Sequence, residues 1–113
     1  MTLAQREHPE ARAELRSGAD WYDDPATGQE LLDATLLARQ SIAKMPDAWP
    51  PILDGNGEPV VRRKGVTGFP YGIVYYVTNS EIVIVAYAHE KRLPGYWKHR
   101  MRTEGSDPSV SAV

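Results

Sequence analysis

Four prolines and two glycines crowd the segment from Pro46 to Pro59, and Asp54-Gly55-Asn56-Gly57 sets a turn signal inside it. Proline lacks a backbone N–H and pushes the preceding residue out of the helical region, so neither a helix nor an interior strand runs through such a stretch. The chain is thereby cut into two halves that must find regular structure separately. Before the loop, apolar residues recur every three or four positions; after it, they alternate or cluster among β-branched and aromatic side chains. A helical half followed by a strand half predicts a small α+β domain.

In the first half Ala11, Leu15, Ala19 and Tyr22 share one helical face from Pro9 to about Asp24, and Pro9 suits a first helical position. Asp23, Asp24 and Pro25 interrupt it. Thr27-Gly28-Gln29-Glu30 then has the form of a capping box, which predicts a second helix starting at Thr27 and stopping at Pro46. Its apolar residues, Leu31, Leu32, Leu36, Ala38, Ile42 and Met45, make a stripe broad enough to pack on both the first helix and a sheet.

In the second half, Val60 to Lys64, Phe69 to Val77 and Ile82 to Ala88 are expected to form an antiparallel three-stranded meander. In the middle strand Phe69, Tyr71, Ile73, Tyr75 and Val77 fall on one face, with Val74 and Tyr76 on the other, so both faces need cover. Leu3 to Glu7 is a further possible strand, although Ala4, Gln5 and Glu7 are poor strand formers. Residues 1–102 are thus read as one domain, and 103–113, rich in Ser, Asp and Pro without periodicity, as a disordered tail. A chain of 113 residues has room for a single core.

With no cysteine, disulfides, thiolate metal sites and thiol nucleophiles are excluded. No apolar run is long enough to span a bilayer, and Met1 to Glu10 lacks the apolar centre of a signal peptide, so a soluble cytoplasmic protein without a membrane partner is expected. The formal charge of -2 hides an uneven distribution: residues 1–59 carry five basic and eleven acidic side chains, residues 60–102 eight basic and two acidic. So positive a segment either attracts phosphate or forms a solvated face.

Three groups of residues in that segment suit chemistry. Arg62 and Lys64 project to one face of their strand and Arg63 to the other; they either grip phosphate or protect a solvent-facing strand edge. His89, expected on the face of Val83, Val85 and Tyr87, has the pKa range for acid–base work, or simply hydrogen-bonds the turn that follows it. Arg92, Tyr96 and Arg100 recur at spacings of four, and Tyr96-Trp97 either stacks on bases or seals the core. Trp21, Tyr22 and Trp49 are read as core closers.

Three strings, in this order, carry a resemblance: His8-Pro9-Glu10-Ala11 leading into a helix that ends Trp21-Tyr22; Phe69-Pro70-Tyr71-Gly72-Ile73-Val74-Tyr75; and Ala88-His89-Glu90-Lys91-Arg92-Leu93-Pro94-Gly95-Tyr96-Trp97. Together they resemble the RelE/ParE family of bacterial type II toxins, also known as plasmid stabilisation proteins, over His8 to Met101. The resemblance implies a two-helix hairpin packed on a small antiparallel sheet, and a cytoplasmic toxin that arrests growth unless a cognate antitoxin binds it in a hetero-oligomer. It implies no cofactor and no metal. Its target is either messenger RNA on the ribosome, cut without metal by RelE-like members, or DNA gyrase, which ParE-like members inhibit without chemistry of their own. A non-toxic module that only binds its antitoxin is the alternative. For the nuclease the resemblance points to Lys64, Arg92 and Tyr96, with Arg62 and His89 beside them; the sequence offers no glutamate where some ribosome-dependent relatives place a base. The ending Leu93-Pro94-Gly95-Tyr96-Trp97 resembles ParE-like and unassigned members more than the established messenger-cutting ones.

Overall fold

A computed structural model describes residues 3–52 and 59–105, with side chains described as far as 101. The elements run β1 (Ala4–Glu7), α1 (Pro9–Trp21), α2 (Pro25–Lys44), β2 (Val61–Gly65), β3 (Tyr71–Val77), β4 (Glu81–His89) and α3 (Lys98–Gly105). The expected disorder from 103 is corrected in part, because α3 continues to Gly105; residues 106–113 and the Asp54-Gly55-Asn56-Gly57 turn lie outside the described residues. None of the helices described is long and apolar enough to cross a membrane.

Both helices of the hairpin begin at a capped proline. His8 caps α1, its Nδ1 accepting the Glu10 N–H at 3.1 Å, and Pro9 takes the first helical position. At α2 the capping box is corrected: Asp24 is the cap, its carboxylate accepting the Ala26 N–H at 3.0 Å, and Thr27 already lies within the first turn. The aspartate fits better because Pro25 follows it with a fixed φ and no N–H to satisfy. The two helices cross closely where Gly28 meets the α1 backbone; a Cβ there would sit 2.6 Å from the Ala19 carbonyl oxygen.

The sheet order is β1-β4-β3-β2. The meander β2-β3-β4 is antiparallel as expected, but β1 runs parallel to β4, so the sheet is mixed rather than antiparallel. The whole helical hairpin lies between β1 and the meander, so no tight turn forces β1 into an antiparallel pairing with β4. Weak strand formers hold β1 because polar side chains clamp it. Gln5 and Arg39 exchange hydrogen bonds at 2.8 and 2.9 Å, Arg39 lies 3.3 Å from the Glu7 carboxylate, and Arg6 pairs with Glu81 at 2.6 Å.

Each face of the sheet has its own core. Ile73, Tyr75, Ile82, Ile84 and Tyr87 pack under Ala11, Leu31, Ala38 and Ile42 of the hairpin. Val61, Val74, Tyr76, Val83, Val85, Ala86 and Ala88 form the other core with Trp97. The broad stripe foreseen on α2 is corrected to a narrow one: Leu31, Thr35, Ala38 and Ile42 are buried, whereas Leu36, Leu37 and Met45 stay exposed. Only one helical face can meet α1 and the sheet at once. Trp21, expected in the core, is 77% exposed at the end of α1, while Tyr22 and Trp49 are partly buried against the first core.

Candidate functional site

The site grows out of a mismatch in strand length. Four-residue β1 covers β4 only as far as Ile84, whose carbonyl accepts the His8 N–H at 2.9 Å, yet β4 continues to His89. At that point β4 also bulges: Tyr75 pairs with Ile84 and Val74 with Ala86, leaving Val85 without a partner on β3. Backbone groups exposed by these two irregularities must be satisfied inside a packed domain. Arg100 donates to the Val85 carbonyl at 3.1 Å, and the Tyr87 N–H donates to Glu14 on α1 at 3.1 Å.

Glu14 is the hub. Its two oxygens accept from both terminal nitrogens of Arg100 at 2.7 and 3.1 Å and from the Tyr96 hydroxyl, and Arg92 approaches to 4.0 Å. The Arg92 guanidinium also lies 3.9 Å above the Tyr96 ring. The Arg100 side chain is 6% exposed; burial works against its charge, but the Glu14 carboxylate more than offsets this and raises its pKa. Burial, reinforced by the hydrogen bond to Glu14, raises the Tyr96 hydroxyl pKa well above the usual phenol value and keeps it neutral. Burial likewise raises the Tyr87 hydroxyl, which donates to Glu7. At Glu7 burial pushes the pKa up, but the bonds from Tyr87 and Arg12 and the charges of Arg39 and Arg12 pull it below the ordinary carboxylate value.

A cleft of about 440 Å³ opens beside this hub, between α1 and the ends of β3 and β4, with Ser17, Gly18, Trp21, Tyr71, His89 and Arg92 among its walls. The placement of His89 is a correction. The bulge reverses the alternation, so Val83 and Val85 face one core while Tyr87 faces the other, and His89 stands edge-on to Tyr71 beside the cleft, with ring centroids 5.1 Å apart. Its Nδ1 accepts the Lys91 N–H at 3.1 Å, so the ring does hold the turn, and Nε2 has no partner among the described residues.

Of the residues expected to act together, His89, Arg92 and Tyr96 do meet here, and Arg100 joins them. Arg62 and Lys64 do not. Arg62 donates to the Trp49 carbonyl at 2.8 Å and the Asp47 carbonyl at 3.3 Å, and Lys64 lies 4.3 Å above the Trp49 ring. Both side chains are occupied in holding the proline-rich loop. That loop also covers part of the β2 edge: the Ile52 N–H donates to Val61 and the Arg63 N–H to Pro50. The residue missed from sequence is Glu14, along with the Tyr87 backbone it serves. One more carboxylate in an acidic helix carries no local mark, because its partners lie more than seventy residues away. Among the described residues no three His, Cys, Asp or Glu side chains group closely enough to hold a metal ion.

Fold and site together define a two-layer α+β domain whose C-terminal segment is pinned to its first helix by a buried ion pair. No family model matches the chain, and no curated protein matches it in sequence.

Proposed function

We propose that the protein is a RelE/ParE-like toxin of a type II toxin–antitoxin pair that acts as a ParE-like inhibitor of DNA gyrase, by binding and without bond-making chemistry. One observation carries the choice between the two toxic mechanisms. Arg100 and the Tyr96 hydroxyl are spent on Glu14, and Arg62 and Lys64 are engaged with the proline-rich loop, so of the cations a metal-free nuclease needs only Arg92 is left beside His89. The arrangement instead gives a C-terminal segment anchored to Glu14 through Tyr96 and Arg100, which presents Leu93, 78% exposed, beside Arg92. The apolar side chains left on α2, Leu36 and Leu37, suit cover by the cognate antitoxin.

Purified protein is expected to block supercoiling by gyrase and to leave translated messages intact in a reconstituted translation reaction. Unchanged gyrase activity at saturating protein removes this reading. Message cleavage in the second assay supports ribosome-dependent RNA cleavage instead, which His89 favours through its unengaged Nε2 beside Arg92. Normal growth on expression of folded protein leaves only an antitoxin-binding module. Leu37→Lys is expected to weaken the antitoxin complex at least about tenfold, with stability changed by less than about 0.5 kcal/mol because the position is exposed.

A further inference from the structure

The sheet face turned away from α1 and α2 carries a second cleft, of about 320 Å³, which shares Arg92 and Leu93 with the toxin reading but is built around Arg63, which that reading does not use. Arg63 projects to this face from β2, opposite to Arg62 and Lys64. Its guanidinium lies across Gly72 of β3, in the space a side chain there would fill; a Cβ on Gly72 would overlap Arg63 Cζ and Nε. The backbone of Gly72 is ordinary extended strand, so the missing side chain serves the close approach rather than a special φ. Arg63 is therefore seated, yet among the described residues its guanidinium has no hydrogen-bond or ion-pair partner. Arg92, which also approaches Glu14, lines the same cleft as a second cation, Glu90 is the one acid lining it among the described residues, and Val74, Leu93 and Trp97 supply apolar wall.

We propose that this cleft binds a carboxylate carried on an acidic segment of a partner protein, with Arg63 gripping the carboxylate and the apolar wall taking an adjacent aliphatic side chain. A guanidinium fork matches the two oxygens of a carboxylate, and an arginine already placed loses little rotamer freedom on binding. Among the described residues two arginines and one acid line the cleft, which gives it a positive balance. A polyphosphate chain is disfavoured, because the cleft offers one seated guanidinium set against an apolar wall of Val74, Leu93 and Trp97 and not a row of cations along its length. The inference goes beyond the toxin reading because it turns on Arg63, which that reading leaves unused, so the peptide titration and the gyrase assay can fail separately.

The test is a titration of the intact chain followed by NMR of the arginine Nε–H groups. The probe is a blocked leucine–glutamate–leucine tripeptide, with its glutamine counterpart and a short oligouridylate as comparisons. The glutamate peptide is expected to shift the Arg63 Nε–H saturably, with binding at least about tenfold weaker for the glutamine peptide, for Arg63→Ala and for Gly72→Ala. Gly72→Ala keeps the charge and displaces only the flexible end of Arg63, so a native backbone spectrum accompanies the loss. Equal shifts from the two peptides, binding indifferent to Gly72→Ala, or stronger binding of the oligouridylate at Arg63 would each overturn the proposal.

Discussion

At the scale of single residues, Glu14 joins three distant pieces of chain: α1 through its own backbone, β4 through the Tyr87 N–H, and the C-terminal segment through Tyr96 and Arg100. Taking one partner from such a pair strands the other as a buried charge, which costs more than the pair contributes as a whole. Glu14→Ala is therefore expected to lower stability by about 3–5 kcal/mol in urea unfolding. Glu14→Ala combined with Arg100→Met is expected to cost clearly less than the sum of the single changes, because no unpaired charge then remains. Additive losses in that double-mutant cycle would show that the two side chains act separately. Arg62 illustrates the opposite point: a positive charge that reads as a phosphate ligand instead donates to two loop carbonyls.

Individual elements start and bend where local chemistry and neighbours agree. In α2 the cap lies at Asp24 and not at Thr27, so Asp24→Ala is expected to cost about 1 kcal/mol, and Thr27→Ala less than about 0.5 kcal/mol, in thermal or urea unfolding. A larger loss at Thr27 would restore the capping box. The α1 cap is sensitive to pH. Burial lowers the His8 pKa below its ordinary value of 6.5, so the folded state resists protonation that the unfolded chain accepts. Stability from this group is present above 6.5 and declines as the pH falls below it, since a protonated Nδ1 no longer accepts the Glu10 N–H. In β4 the single unpaired residue Val85 decides which face receives Tyr87 and His89. Simple alternation carried along the strand puts Tyr87 on the same face as Val83 and Val85, the opposite of where it lies.

Across the whole molecule, the acidic N-terminal half and the basic C-terminal segment meet through Glu14 and Glu10 with Arg100, and Asp47 with Arg62. Buried tyrosines on both sides of the sheet add a common response to alkali. Burial pushes the Tyr75 hydroxyl, which donates to the Pro46 carbonyl at 2.6 Å, up to about 12 from 10.0, and Tyr76, Tyr87 and Tyr96 move the same way. An unfolded chain loses these protons first as the pH rises, so their stabilisation is complete below 10 and is lost between 10 and the folded values. For Tyr75 alone the shift corresponds to about 3 kcal/mol. Unfolding free energy is expected to fall steeply over that interval, with the phenolate absorbance of these four tyrosines appearing only as the chain unfolds; their ionisation near 10 with the fold intact would contradict the burial.

The sequence by itself determined the division at Pro46 to Pro59, the helical hairpin, the meander and the split of β3 between two cores, because each depends on residues a few positions apart. It also placed His89, Arg92 and Tyr96 together, since they follow one another along a short segment. Only the tertiary structure decided the parallel pairing of β1, the bulge at Val85, the outward turn of Leu36, Leu37 and Trp21, and the convergence on Glu14. The physical reason is common to all four. Each depends on which backbone groups and apolar faces stay unsatisfied once distant elements have packed, and no local pattern of side chains encodes that remainder.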